Sequence, residues 1–137
     1  CETLIGFGAS AIGRTQQGYV QNQVGLGFYA GSISRGELAT ARGYRLTAED
    51  RLRAEIIERL MCDFEVDVPA ACARHEFNAA ELIIGNGKLL ELAEDGVADL
   101  AGGVIRVRRD HRFLVRAVAA AFDGYLYRSG RSHSQAA

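Results

Sequence analysis

Nine of the sixteen glycines in this 137-residue chain fall within its first 43 positions, at Gly6, Gly8, Gly13, Gly18, Gly25, Gly27, Gly31, Gly36 and Gly43. Glycine loses more backbone freedom on folding than any other residue, and it serves where a chain must turn sharply or approach another group closely. That crowding rules out long regular elements at the start of the chain. From residue 46 onward, charged residues and apolar residues at helical spacing take over. Two parts are therefore predicted, residues 1–45 and residues 46–137.

In the first part, Thr3 to Phe7 reads as a short buried strand that leads into a tight loop at Gly8-Ala9-Ser10-Ala11-Ile12-Gly13. Residues 22–34 can form a helix in which Val24, Phe28 and Ile33 share a broad face, although Gly25, Gly27 and Gly31 weaken it. Thr40 to Leu46 reads as extended.

The boundary of the second part is sharp. Thr47 is placed to cap a helix whose first turn carries Glu49 and Asp50, where the helix dipole favours acids. Leu52, Ile56, Ile57, Leu60, Met61 and Phe64 then recur on one face, and Glu55 with Arg59 is spaced as an i,i+4 pair. Pro69 permits a short helix over 69–75, and another turn or two is expected over 78–84. Asn86-Gly87 begins a helix through Leu89, Leu90 and Leu92 that Gly96 ends. Val97 to Leu100 and Val104 to Val107 flank Ala101-Gly102-Gly103, a hairpin pattern. A long helix is predicted from about Asp110 to Tyr127, with Val115, Val118, Phe122, Tyr125 and Leu126 as its stripe, and a polar tail from Ser129. The fold class expected is α+β, mainly helical, and helices followed by a hairpin and a last helix give the second part a winged-helix-like outline.

Composition excludes some function classes. At 48% hydrophobic and 24% charged with one proline, the chain matches an ordinary globular protein. No apolar run reaches the roughly 18 residues of a membrane helix, and no secretory signal opens the chain, so a cytoplasmic monomer is expected. Cys1 is not an initiator methionine and the chain opens inside an apolar run, so further sequence is expected upstream. Cysteines at 1, 62 and 72 form no CxxC, and histidines at 75, 111 and 133 form no HxxxH, so no metal site is expected here. Cys62 is expected to be a buried, inert thiol. Net charge is −1, yet seven arginines stand against Asp110 and Asp123 from residue 101 onward. Such a basic stretch suits an anionic ligand or a solvated helix face.

Five segments carry a resemblance. Gly6-Phe7-Gly8-Ala9-Ser10-Ala11-Ile12 resembles the "GxGxSAI" segment of oxygen-independent coproporphyrinogen III dehydrogenases, and Tyr19-Val20-Gln21-Asn22 resembles their "YxQN" segment. Arg42-Gly43-Tyr44-Arg45-Leu46-Thr47-Ala48-Glu49-Asp50 is similar to "RGxxLTxDD", and Ile57 to Phe64 to "IxxLxCxF". Asp95-Gly96, the hairpin and Phe122-Asp123-Gly124-Tyr125-Leu126 follow in order. Each motif is weak alone. Their order along nearly the whole chain makes the likeness strong.

The resemblance implies a radical S-adenosylmethionine (SAM) enzyme. Members use a [4Fe–4S] cluster on three closely spaced cysteines to cleave SAM, and the radical formed abstracts hydrogen from two propionates of coproporphyrinogen III. Loss of carbon dioxide then gives protoporphyrinogen IX without oxygen. Residues 1–45 would be the tail end of the radical SAM barrel domain, and 46–137 a C-terminal domain covering the active site. Ile12 matches the family's cofactor-contacting isoleucine, with Ala11 and Gly13 as neighbours sharing the contact. A packed loop at the end of a barrel strand remains the alternative for these three.

This chain has no CxxxCxxC, so cluster ligands are absent and no catalytic residue is assigned. The chain alone is expected to be inactive. Arg106, Arg108, Arg109, Arg112 and Arg116 are candidates for the substrate's carboxylates. Two other readings stay open. One is a haem chaperone relative. The other is a nucleic-acid-binding winged helix, against which Glu91, Glu94 and Asp95 on the would-be recognition helix would repel phosphates. No nucleic acid and no membrane are expected among its partners.

Overall fold

The computed structural model describes residues 3–126 and is α+β. The chain divides into two compact units, Cys1–Thr47 and Ala48–Ala137.

The first unit is a three-stranded antiparallel sheet with one helix. Strands β1 (Ile12–Arg14), β2 (Gly18–Asn22) and β3 (Thr40–Arg45) pair in that order, and helix α1 (Leu26–Ser34) lies between β2 and β3 in sequence. The extended reading of Thr40–Leu46 is therefore right, while the helix expected over 22–34 starts four residues later. Asn22 and Gln23 instead serve the sheet and the loop, since Asn22 N–H donates to Ala11 and Gln23 N–H to Ala39.

The buried strand expected over Thr3–Phe7 is reduced to one bridge between Leu4 and Arg14. Ile5 and Phe7 are exposed, Phe7 at 88%. Within this unit Ala39 is the one described buried residue of the hydrophobic set, and α1 buries none of its side chains. Val24, Phe28 and Ile33 are all exposed.

The second unit has a continuous core. Helix α2 (Ala48–Asp63) presents Leu52, Ile56 and Leu60 at successive i,i+4 positions, each fully buried. They meet Val68 and Cys72 of α3 (Val68–His75), Leu89 and Leu92 of α5 (Gly87–Glu94), and Val118 of α6 (Val115–Ala120), with Phe122 beyond it. Each fully buried side chain of this kind contributes roughly 1.5–3 kcal/mol. A short α4 (Ala79–Ile84) completes the helices. Asp67, Asn78 and Asn86 each cap the helix that follows through a side-chain oxygen.

A small sheet closes the core, in the order β4 (Glu65–Asp67), β6 (Val104–Val107), β5 (Ala98–Ala101). The hairpin turn is at Gly102 and Gly103, with φ of 60° and 84°. Positive φ at both central residues fits the right-handed strand twist.

Three sequence expectations fail in this unit. The long helix over Asp110–Tyr127 is a 3₁₀ segment, Arg109–Leu114, followed by the six-residue α6. Within the 3₁₀ segment His111 departs from helical dihedrals (φ −114°, ψ 15°), and Tyr127 lies outside the described residues. Val118 and Phe122 keep their core places, whereas Tyr125 is exposed. Glu55 does not pair with Arg59. Arg59 instead bonds Asp63 at 3.1 Å, and Glu55 turns to Arg74 and His75. Cys62 is exposed and Cys72 is the buried thiol, because the fully buried 52-56-60 stripe excludes position 62.

Candidate functional site

The loop before β1 is held by side chains of β2. Asn22 Nδ2 donates to the carbonyls of Gly6 at 3.1 Å and Gly8 at 3.0 Å. Gly8 N–H donates to the Tyr29 hydroxyl of α1. Gln21 Nε2 donates to Ser10 O at 3.2 Å, and Ser10 N–H donates to Gln23 O at 2.8 Å. Ser10 takes a left-handed backbone, φ 62°, which these bonds help to hold.

Sheet register sets what lies beside this loop. Ile12 is opposite Gln21 and Gln21 opposite Arg42, while Arg14, Tyr19 and Tyr44 form the next row but one. Opposed residues, and residues two apart, share a face. One face thus carries Ile12, Arg14, Tyr19, Gln21, Arg42 and Tyr44. Arg42 Nε donates to Gln21 Oε1 at 2.7 Å. Ile12, Tyr19, Gln21, Arg42 and Tyr44 line an open concavity of about 330 Å³ whose floor runs along Val20 and Gly43.

The three residues expected near a cofactor are placed differently from one another. Ile12 is 56% exposed at this concavity. Ala11 is half-buried, and its backbone oxygen accepts from Asn22 N–H. Gly13 is buried, and a Cβ there would lie 2.9 Å from Leu4 O and 3.1 Å from Val20 Cγ2. Its missing side chain makes room for neighbouring protein. Of the three, Ile12 alone lines the concavity.

Gln21 and Arg42 are not singled out by sequence spacing, because their adjacency depends on pairing across 21 residues. The alternation of Tyr19-Gln21 and of Arg42-Tyr44 about smaller residues was the available signal.

The arginines of the second unit sit in a mixed-charge setting. A concavity of about 440 Å³ is lined by Arg106, Arg108, Arg109 and Arg112, and also by Asp63, Glu65, Asp99 and Asp110. Arg106 Nε donates to Glu65 at 2.6 Å, and this arginine holds the Glu65 carboxyl below the usual carboxylate range. Arg112 lies over the Phe64 ring, and Arg108 reaches Gly96 O at 3.4 Å. Arg116 is exposed and outside this concavity. On α5, Lys88 is bonded to Glu91.

A third cluster joins α2 to α3. Glu55 accepts from Arg74 Nη2 and, at 2.9 Å, from His75 Nε2. A carboxylate only accepts, so His75 Nε2 carries the proton. Among the described residues, no group of three His, Cys, Asp or Glu could hold a metal ion, so these residues do not fit as ligands of an iron–sulfur cluster. No helix of the described residues is long and apolar enough to cross a membrane.

No family model matches the chain. Curated relatives do. The oxygen-independent coproporphyrinogen III oxidase of Bradyrhizobium diazoefficiens is 53% identical over 135 residues, which is 98% of this chain and 30% of that protein. Proteins of the same name from Salmonella typhimurium and Thermostichus vulcanus are 35% and 37% identical over 93% and 97% of this chain, and the chain spans 28% and 42% of them. Among solved structures, the coproporphyrinogen III oxidase of Escherichia coli, described as a radical SAM enzyme, aligns with a TM-score of 0.82 at 34% identity. That alignment covers 90% of this chain and 29% of that one.

Proposed function

We propose that this chain, which belongs to the oxygen-independent coproporphyrinogen III oxidase family of radical SAM enzymes, serves as the C-terminal part of an enzyme that decarboxylates coproporphyrinogen III to protoporphyrinogen IX without oxygen. In that reading, residues 1–45 are the end of the catalytic barrel domain and residues 46–137 form a winged-helix-like domain over the active site. Alone, the chain is inactive.

The observation that carries this reading is the wiring of the first unit. Three segments that resemble the family's motifs, at 6–12, 19–22 and 42–50, meet through side-chain bonds from Asn22 and Gln21. They converge where Ile12 is exposed. A loop held this firmly can present an apolar side chain and backbone to an adenine, since glycine lets the backbone come close to a ligand. Ile12 is the contact, Ala11 lends its neighbouring backbone, and Gly13 lets the strand pack closely behind them. SAM supplies the hydrogen-abstracting radical when bound, and its cluster ligands come from sequence outside this chain.

The poor core of the first unit supports the barrel assignment. Phe7, Leu26, Phe28 and Leu38 are all more than three-quarters exposed, and each would contribute about 1.5–3 kcal/mol if covered. The order of α3, α4 and α5 followed by the β5–β6 hairpin and α6 supports the winged-helix-like reading of the second. Among its arginines, Arg106 is already bonded to Glu65, which leaves Arg108, Arg109, Arg112 and Arg116 as candidates for the substrate's carboxylates.

The test is anaerobic turnover of coproporphyrinogen III by the full-length protein with its cluster reconstituted, beside the 137-residue chain. Protoporphyrinogen from the first and none from the second is expected. Ile12→Ala should raise the SAM concentration needed for half-maximal rate roughly 3- to 10-fold, the worth of one lost apolar contact. Turnover by the short chain, or none by the long one, would refute the proposal.

A further inference from the structure

We infer that Arg42 is a carboxylate-binding residue of this site, with Gln21 as the residue that positions it; the inference rests on the function proposed above. A guanidinium has five N–H donors in a planar fork. Here Nε is engaged by Gln21 Oε1 at 2.7 Å, which fixes the plane of the group and leaves the edge formed by both Nη atoms for a bidentate acceptor. Gln21 is itself oriented, because its Nε2 donates to Ser10 O. Position is thus passed from the Ser10-Ala11-Ile12 loop through Gln21 to Arg42 without a gap.

No carboxylate among the described residues forms an ion pair with Arg42. Among the described residues its one bonded side-chain partner is the neutral Gln21, and no aspartate or glutamate lines the concavity it shares with Ile12, Tyr19 and Tyr44. This sets it apart from Arg35, Arg53, Arg59, Arg74 and Arg106, each of which holds a carboxylate. An arginine held in place by a neutral acceptor beside aromatic and aliphatic side chains suits a ligand with a flat apolar body and a carboxylate at its rim. A tetrapyrrole propionate meets that description, and the amino-acid carboxylate of SAM offers the same chemistry.

Equilibrium binding to the full-length protein decides the matter, with coproporphyrin III and SAM titrated separately against wild type, Arg42→Ala and Arg42→Lys. Arg42→Ala should weaken one ligand roughly 10- to 100-fold, the worth of a bidentate charge-assisted pair. Arg42→Lys keeps the charge without the fork and should fall between. Weakened porphyrin binding with SAM unchanged assigns the propionate, and the reverse assigns the cofactor's carboxylate. Gln21→Ala should reproduce part of the loss, and wild-type melting temperatures for all variants would exclude misfolding as its cause. Arg42→Lys guards against an Arg42→Ala protein that fails to fold, since it retains the strand's charge and length. If wild type binds both ligands and neither Arg42 variant weakens either by more than twofold, the inference is wrong while the proposed function stands. If wild type binds neither, both fall.

Discussion

The guanidinium carbon of Arg112 lies 4.4 Å from the ring centroid of Phe64, and Phe64 itself holds a left-handed backbone, φ 60°. A bulky residue pays about 1–2 kcal/mol for that conformation. What the turn accomplishes is the exit from α2 into β4. Phe64 N–H closes the helix on Leu60 O, and Phe64 O accepts from Val107 N–H at 2.8 Å. The ring packs against the core from its edge and supports the arginine.

Removing the ring should therefore cost more than removing the cation. Phe64→Ala is expected to destabilise the second unit by about 2 kcal/mol, below the value for a fully buried phenylalanine. Arg112→Ala should cost about 0.5–1 kcal/mol. In a double-mutant cycle by urea unfolding, a coupling of about 0.5 kcal/mol or more is expected. Strict additivity would show that the stacking does nothing for stability.

At the hairpin turn, two adjacent glycines should respond unequally. An alanine Cβ at Gly102 meets nothing within 4 Å, so only its φ of 60° is unfavourable. At Gly103 the Cβ would sit 2.6 Å from Pro69 Cγ and 2.8 Å from Cδ, with φ at 84°. The proline ring is held at the start of α3 and cannot swing aside as a flexible side chain would. Gly102→Ala should cost about 1 kcal/mol, and Gly103→Ala about 3 kcal/mol once the overlap is added. Equal losses in urea unfolding would mean that the Pro69 contact relaxes without cost.

What could be read from sequence follows the range of the interactions. α2, α3, α5 and the β5–β6 hairpin are written in local signals: the 52-56-60 stripe, Pro69, the Asn86 cap, and Gly102-Gly103. The kink at His111 has no such local mark, and apolar spacing alone extends a helix through it. Cys62 misleads because it follows Leu60 and Met61, although position 62 turns away from the buried stripe. In the first unit the family likeness pointed to Ile12 without showing what supports it. The Asn22 bonds to Gly6 and Gly8 join residues 14 and 16 positions apart, a relation that no periodicity contains.

Those Asn22 bonds carry their own prediction. Its amide supplies both donors, so Asn22→Ala leaves the Gly6 and Gly8 carbonyls to water, and Asn22→Asp sets acceptor against acceptor. The amides to watch are Ser10 and Asn22, which donate to Gln23 O and Ala11 O. Their hydrogen exchange should speed up about tenfold in Asn22→Ala, the equivalent of about 1.4 kcal/mol of local stability. Asn22→Asp should be faster still. Unchanged exchange at both amides would mean that the loop is held by its backbone alone.

The Glu55 cluster predicts how stability depends on acid. Burial would raise the Glu55 carboxyl, but the bonds and charges of Arg74 and His75 outweigh it and hold the group below its ordinary value of 4.5. A carboxyl lowered on folding contributes stability that is complete above its unfolded pKa and is lost as pH falls through its folded one. Glu55→Gln should therefore destabilise the second unit at pH 7 by about 1 kcal/mol, modest because the side chain is partly exposed. The gap to wild type should shrink as pH falls below about 4.5, the ordinary value of the unfolded carboxyl, and close once the folded carboxyl also takes up a proton. Arg74→Ala should remove part of the same acid-sensitive fraction, since it strips away the largest favourable influence on the carboxylate while His75 remains. The measurement is urea unfolding of the three proteins at pH 7, 5, 4 and 3. A gap that persists unchanged at pH 3 would show that Glu55 acts through its packing between α2 and α3, with its charge irrelevant.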